Sequence, residues 1–281
     1  MFRNILAVTR DIADLYSDKR IPRASAALSY YLTMTVFPLI ICLYSLLGKN
    51  YALASDALDF AAKFLAPETT EFLREFLRHV ASSNSPAMLA AGLTVLITSS
   101  SAAIRTLQTT IGEMQGGQRF QGFVYFLLSL VFSLVFLAAM YFSVVVIVTG
   151  QEVLTMVNNV IPVIDFSRTW GWLRFLLLAG IVLVIFWGVY AASKRRIDKY
   201  RTFPGALLAM AAAVVMSAAF SIFIGASAKY PLIYGSLASV ILLMLWLYIS
   251  CQIIFVGAAF NIALQKAADR RLEAEREEDE D

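Results

Sequence analysis

Long apolar runs separated by short charged segments dominate the chain. The last run has 36 consecutive residues without a formal charge between Lys229 and Lys266, well beyond the roughly 20 apolar residues that an α-helix needs to cross a bilayer. Runs of this length exclude the shorter, alternating strands of a membrane β-barrel. We therefore predict an all-α polytopic membrane protein, a bundle of six transmembrane helices with amphipathic helices at its surface.

The predicted spans cover residues 26–48, 86–111, 122–149, 173–192, 205–226 and 235–264. They form one transmembrane domain, 26–266, whose outer loop 49–85 is predicted to contain two short amphipathic helices. Residues 1–25 have the pattern of an amphipathic helix, which lies either on the cytoplasmic membrane surface or docked on the ends of the bundle. Residues 267–281 are predicted to be a charged cytoplasmic tail that extends the last helix briefly before becoming disordered.

Basic residues predict the orientation. Outside the spans, fifteen Lys and Arg residues lie on one side of the predicted topology and six on the other. Because positively charged loops stay in the cytoplasm, both termini are predicted to be cytoplasmic. The chain is 59% hydrophobic, against about 45–50% in soluble proteins. The basic residues behind the net charge of +3 lie largely in short loops beside apolar runs, where the membrane topology accounts for them. We therefore predict membrane lipid, and no nucleic acid, as a partner.

Polar side chains inside the spans are the candidate functional positions, because such groups are costly in lipid. Ser101, Arg105 and Gln108 share one face of the second span, and Trp246 and Asn261 share one face of the last. Arg105 lies about two turns from the cytoplasmic end of its span. It is therefore either a functional charge or a side chain that reaches back to the interface.

The first span carries a stripe of hydroxyl groups beside two tyrosines, Tyr30 and Tyr31. The stripe consists of Ser25, Ser29 and Thr33. These hydroxyls bond either to their own backbone and neighbouring helices or to a substrate.

Proline and glycine positions mark predicted bends and close contacts. Pro38 predicts a bend near Met34, because proline removes a backbone donor. Gly235 and Gly257 are predicted to be hinge or packing positions. The fifth span has a small-residue ridge, formed by Ala209, Ala213, Ser217, Ser221 and Gly225. The ridge suits either a homo-oligomer or packing within one chain.

Signatures of catalysis are absent from the sequence. It has no HExxH, Walker or GxSxG motif. His79 is the sole histidine, and Cys42 and Cys251 lie in apolar runs, where cysteine behaves as a small hydrophobe. We therefore predict no catalytic residue, no metal site and no cofactor.

Four segments resemble the YihY/BrkB family of bacterial inner-membrane proteins: SAALSYYLTMTVFPLIICLYSLLG, SSAAIRTLQTTIGEMQG, FPGALLA and YGSLASVILLMLWLYISCQIIFVGAAFNIAL. The resemblance extends over residues 20–266. It implies a six-helix integral membrane protein of the bacterial inner membrane, in a family once labelled ribonuclease BN and linked by name to serum resistance. The matching positions are Tyr30, Tyr31, Pro38, Arg105, Tyr234, Gly235, Trp246, Gly257 and Asn261. One departure is the loop ASKRRIDKYR, where the family often has a Pro-Asn element.

The resemblance also implies a transporter-like protein that moves lipid or lipid-linked envelope material. We expect a transporter or flippase in which Arg105 attracts an anionic headgroup. Tyr30, Tyr31 and Asn261 then line the substrate path, and Ser101, Gln108 and Trp246 are further candidates for it. A non-transporting scaffold for envelope proteins is the alternative, and a membrane-bound hydrolase comes last.

Overall fold

The regular structure is helical throughout the described part of the chain. The computed structural model describes residues 2–46, 50–62, 67–83, 85–116, 127, 130–131, 134, 138, 166–193, 202–226 and 237–280. The helices within these ranges are α1 (Phe2–Asp18), α2 (Ile21–Leu46), α3 (Tyr51–Ala61), α4 (Pro67–Ser83), α5 (Pro86–Met114), α6 (Phe166–Ala192), α7 (Phe203–Ala226) and α8 (Leu237–Glu280). The fold is all-α, as the apolar runs predict.

Four of the described helices are long and apolar enough to cross a membrane. The qualifying stretches are Ile21–Ser45 in α2, Pro86–Met114 in α5, Phe203–Phe220 in α7 and Ala238–Glu277 in α8. Helix α6 adds a shorter apolar stretch, Ala179–Ala191. The predicted third span, 122–149, lies outside the described residues except for five helical positions. The count of six spans therefore stays a prediction.

Helix α2 begins at Ile21, five residues before the predicted start of the first span. Ile21 and Ser25 are fully buried, whereas Arg20 and Arg23 are exposed. The sequence prediction began the span later because of Arg20 and Arg23. Both residues lie on the outward side of the chain. Arg20 separates α1 from α2 and has a φ of 49°, the left-handed conformation with which many helices end.

Helix α8 is much longer than the predicted span 235–264. It has 44 residues and is about 66 Å long, whereas the hydrocarbon core of a bilayer is about 30 Å thick. The charged residues after Lys266 continue the helix because Ala, Glu, Lys and Arg all favour helical backbone. The disordered tail predicted within 267–281 is therefore corrected to a helix that continues to Glu280.

Buried side chains gather at two ends of the bundle. We call one end the base, where α2 and α7 begin and α5 and α6 end, packed against the middle of α8. Its core includes Leu15, Ile21, Leu28, Ile111, Tyr190, Ala206, Phe255 and Ile262. At the other end, which we call the loop end, α3 and α4 pack on the last turns of α2 through Tyr44, Ala54, Leu77 and Val80. Thr69 of α4 also donates a hydrogen bond to the Ser239 carbonyl at the start of α8.

Arg74 joins α3 to α4 at the loop end. Its guanidinium donates hydrogen bonds to the carboxylates of Asp59 and Glu71, and these bonds raise the pKa of Arg74 above its ordinary value. Ion pairs in contact with water contribute little to stability. The apolar contacts of α3 and α4 with α2 therefore hold this pair of helices on the bundle.

Helix α1 docks on α8. The Tyr16 hydroxyl donates to the Gln252 side-chain oxygen at 2.7 Å, and Arg270 forms an ion pair with Asp11. The later residue of α1 meets the earlier residue of α8, so the two helices run in opposite directions. Leu15 is buried in the core of the base. Of the two placements predicted for the N-terminal helix, the structure shows the docked one.

Helices α2 and α5 are antiparallel neighbours whose register is defined at two points. The hydroxyl oxygens of Thr35 and Ser99 form a hydrogen bond at 3.0 Å. The Ile41 side chain lies 3.4 Å from the position that a Cβ on Gly92 would take. Residue numbers rise along α2 as they fall along α5, which places Arg105 level with residues 28 and 29 of α2.

Tyr16→Phe should loosen α1 from α8, because it removes the hydroxyl that donates to Gln252. One hydrogen bond contributes about 1 kcal/mol, so amide exchange in residues 7–18 should accelerate about five-fold. Hydrogen–deuterium exchange of the purified protein measures this rate, and Tyr51→Phe, at an exposed position of α3, is the control. Equal exchange in wild type and Tyr16→Phe would contradict the assigned role.

The register of α2 against α5 predicts a disulfide between Thr35→Cys and Ser99→Cys, in a chain whose Cys42 and Cys251 are replaced by Ala. The two native oxygens are 3.0 Å apart, close to the separation that a disulfide can bridge. Mild oxidation should protect both thiols from maleimide labelling. Thr33→Cys with Ser99→Cys is the control, because Thr33 lies about 160° around α2 from Thr35, the residue that faces Ser99. Full labelling of the oxidised 35/99 pair would show that the register is wrong.

Candidate functional site

Asn261 of α8 is the centre of a buried contact among three helices at the base. Its side chain is 2% exposed. Its amide nitrogen donates to the Thr202 carbonyl at 2.9 Å, and its oxygen accepts a hydrogen bond from the Gly205 N–H at 2.7 Å. We call Tyr190, Thr202, Gly205, Gly257 and Asn261 the three-helix junction.

The first turn of α7 requires such a partner. The N–H groups at the start of a helix have no acceptor within the helix, and α7 begins with Phe203, Pro204 and Gly205. Pro204 has no N–H to satisfy, and its fixed φ suits a first helical turn. Asn261 accepts from Gly205 and thus caps α7 from another helix, as an N-cap side chain does within one helix.

Gly205 and Gly257 bring α7 and α8 into backbone contact. A Cβ on Gly205 would clash with the Gly257 carbonyl oxygen, and a Cβ on Gly257 would lie 2.8 Å from the Gly205 carbonyl oxygen. Neither contact is possible for a real side chain, so both positions require glycine. The sequence predicts Gly257 as a hinge or packing position, and the structure places it in a packing contact.

Tyr190 adds α6 to the junction. Its hydroxyl donates to the Ile254 carbonyl at 2.6 Å, and its side chain is 2% exposed. Sequence reasoning missed Tyr190, Thr202 and Gly205 as site residues. Two signals could have found them: a lone tyrosine near the end of an apolar run, and the Pro-Gly pair that opens the next one.

The contacts of Asn261 hold α7 against α8, and its place on a substrate path stays a prediction. Trp246 lies fifteen residues earlier, so the two side chains are separated by about 22 Å along α8. Trp246 packs against the buried cluster of Phe220 and Leu242. Its indole nitrogen is buried and has no hydrogen-bond partner in the described part of the chain. The two candidates of α8 therefore belong to different parts of the bundle.

The hydroxyl groups of α2 and α5 bond mainly within their own helices. Ser29 donates to the Ala26 carbonyl and Thr33 to the Ser29 carbonyl. Ser100 of α5 likewise donates to the Leu96 carbonyl. The stripe of the first span thus follows the backbone-bonded alternative at Ser29 and Thr33. Ser25 differs, because its hydroxyl is buried without a partner among the described residues.

The single polar face predicted for the second span divides in the structure. Ser101 and Gln108 are buried, at 1% and 6% exposure, whereas Arg105 is exposed. At 100° per residue Arg105 lies at one edge of this face, where the packing surface of α5 ends. The three side chains thus share one face of α5, on which Ser101 and Gln108 are buried and Arg105 is exposed.

Exposed residues form one flank of the α2 and α5 pair. On α2, Arg23, Tyr30 and Met34 recur at helical spacing and are exposed, whereas Ile21 and Leu28 are buried in the base. On α5 the exposed polar residues are Thr94, Thr98 and Arg105. Counted from Thr35 and Ser99, which face each other, both strips are rotated in the same sense about their own helix axes. Because the two helices are antiparallel, this rotation places both strips on the same side of the pair, away from α8. We call this surface the exposed flank.

Four further positions that the sequence analysis named are Tyr31, Pro38, Gly235 and His79. Tyr31 is half-buried, packs against the core of the base, and contacts the Tyr30 ring edge to face, with centroids 5.6 Å apart. Pro38 is buried within α2, and Gly235 lies outside the described residues. His79 is exposed on α4. Within the described ranges, no three or more His, Cys, Asp or Glu side chains form a group that could hold a metal.

Comparison with known proteins finds a family match over nearly the whole chain. The family described as virulence factor BrkB matches residues 12–281. A putative ribonuclease-like protein of Bacillus subtilis, YfkH, is 24% identical over 249 residues, which cover 86% of this chain and 89% of YfkH. A UPF0761 membrane protein of Alteromonas mediterranea is 23% identical, over 96% of this chain and 93% of its own. The UPF0761 membrane protein YihY of Escherichia coli is 27% identical over 47% of this chain and 41% of its own. No solved structure matches.

Gly257→Ala should destabilise the protein by about 1–3 kcal/mol, because the added methyl group forces α7 and α8 apart. The melting temperature of the purified protein in detergent measures this effect. Gly188→Ala is the matched control in α6, since a Cβ there meets nothing within 4 Å and alanine favours helix over glycine by about 1 kcal/mol. Equal melting temperatures for Gly257→Ala and wild type would contradict the close contact.

Proposed function

Because the chain belongs to the BrkB family of integral membrane proteins, we propose that it is a transporter or flippase. Its cargo is an anionic lipid or lipid-linked envelope material, carried across the bacterial inner membrane. Transport of a lipid requires a polar route for the headgroup beside an apolar route for the chains. The exposed flank combines charged, hydroxyl and apolar side chains along two membrane-crossing helices.

The proposal includes six spans and two cytoplasmic termini. Both α5 and α6 end at the base, which supports an odd number of crossings between them. The base also carries Arg10, Arg23 and Arg270 on the helices that meet there. An excess of such residues favours the cytoplasmic side.

The position of Arg105 is the observation that carries the proposal. Arg105 is exposed on an apolar helix and lies level with residues 28 and 29 of α2, within one turn of the level of Tyr30. Charged side chains within membrane-crossing helices are costly and commonly serve ions or substrates. A guanidinium offers paired donors to phosphate or carboxylate oxygens, so an anionic headgroup fits this position.

The three-helix junction favours a second candidate, a non-transporting scaffold for envelope proteins. There the polar groups of Asn261 and Tyr190 form hydrogen bonds to neighbouring helices and segments. A scaffold needs such rigid contacts and no route for a headgroup. A membrane-bound hydrolase stays last, supported by the ribonuclease-like name of the Bacillus subtilis relative.

Arg105→Ala should lower transport of fluorescent phosphatidylglycerol at least ten-fold, since it removes the charge that attracts the headgroup. The assay reconstitutes purified protein in phosphatidylglycerol vesicles and follows the movement of labelled lipid between leaflets by dithionite quenching. Arg78→Ala, at an exposed position of α4, is the control, and Arg105→Lys tests whether charge alone suffices.

Two results would count against the proposal. Wild-type vesicles that exchange lipid no faster than protein-free vesicles would reject the transporter in favour of the scaffold. Unchanged exchange with Arg105→Ala, at equal protein content, would remove Arg105 from the mechanism.

A further inference from the structure

A second arginine shares the exposed flank with Arg105. Arg23 precedes Tyr30 on α2 by seven residues, about two turns, so both lie on one face. The register of the pair places Arg105 level with residues 28 and 29. Arg105 is therefore about 8 Å from the level of Arg23, further from the base. Two guanidinium groups and one phenol thus occupy one side of two adjacent helices.

The two arginines lie towards the base end of their helices, within reach of the edge of a bilayer. Arg23 lies two residues after the start of α2, where a membrane-crossing helix meets the headgroups. Arg105 lies deeper, and a long side chain at that depth extends its charged end towards the interface. Tyr30 lies seven residues beyond Arg23, about 10 Å deeper, and its phenol combines an apolar ring with a hydroxyl.

Apolar surface continues from this group towards the loop end. Met34 is 41% exposed on α2, one turn beyond Tyr30, and Val95 is 45% exposed on α5, about 60° around the helix from Thr98. Acyl chains can pack on such surface. The flank therefore presents two positive charges at its base and apolar side chains beyond them, the same order as headgroup and chains in a lipid of the adjoining leaflet.

We infer that the exposed flank binds a phosphate-bearing lipid, with the phosphate between Arg23 and Arg105 and the Tyr30 hydroxyl beside it. Guanidinium groups stay charged and pair their donors with phosphate oxygens. A lipid is the occupant, in preference to free phosphate, because the site lies on membrane-crossing helices and continues into apolar surface. The inference rests on the proposed orientation and deepens the proposed function by naming the headgroup class.

Binding of phosphatidylglycerol to the delipidated full-length protein, measured by native mass spectrometry, tests this inference. Arg23→Gln with Arg105→Gln should weaken binding at least ten-fold. Arg78→Gln with Arg271→Gln removes the same charge from exposed positions of α4 and α8, and should leave binding unchanged. Arg23→Lys with Arg105→Lys keeps both charges but loses the paired donors, so its affinity should fall between those of wild type and the Gln pair.

Two probes separate the lipid from other ligands. Diacylglycerol, which has the chains without the phosphate, should bind much more weakly than phosphatidylglycerol. Inorganic phosphate in excess should not displace the lipid. The inference is overturned if diacylglycerol binds as tightly, if inorganic phosphate competes, or if the control pair loses as much affinity as the flank pair.

The binding result is independent of transport. Intact, arginine-dependent binding in a protein that moves no lipid between leaflets would reject the transporter and leave the phosphate site in place. Transport that continues while binding is insensitive to both arginines would reject this site and leave the proposed function in place.

Discussion

The base of the bundle depends on the backbone contact between Gly205 and Gly257. In lipid, helices gain little from hydrophobic burial against one another, so association relies on close packing and internal hydrogen bonds. The two glycines allow the packing, and Asn261 supplies the bonds by joining the Gly205 N–H and the Thr202 carbonyl. Tyr190 brings in α6 through the Ile254 carbonyl. One contact thus positions α6, α7 and α8 together.

Several of the remaining polar side chains form their hydrogen bonds inside the protein, because lipid offers no water as a partner. Ser29, Thr33 and Ser100 donate to carbonyls of their own helices, so they need no partner on another helix. An arginine cannot be neutralised in this way, because its charge persists and its five donors exceed what one helix backbone offers. This difference separates the outward Arg105 from the hydroxyl groups and directs attention to the exposed flank.

Helix α2 connects the base with the exposed flank. Ile21 and Leu28 lie in the core of the base, while Arg23 and Tyr30, on the same two turns, are exposed. Docking of α1 on α8 adds support from the other side through Tyr16 and Gln252. A lipid held on the flank would therefore contact a helix whose position is determined by the base.

The sequence by itself determined the membrane class and the all-α fold, because long apolar runs have no other stable form in lipid. It also singled out Arg105, Gly257 and Asn261, since charged, small and amide residues stand out within such runs. Only the tertiary structure decided that Asn261 caps α7, that Tyr190 belongs to the junction, and that Arg105 faces outward while Ser101 and Gln108 are buried. Helical periodicity defines faces relative to one helix axis, whereas the neighbour that covers each face depends on contacts between residues far apart in the chain.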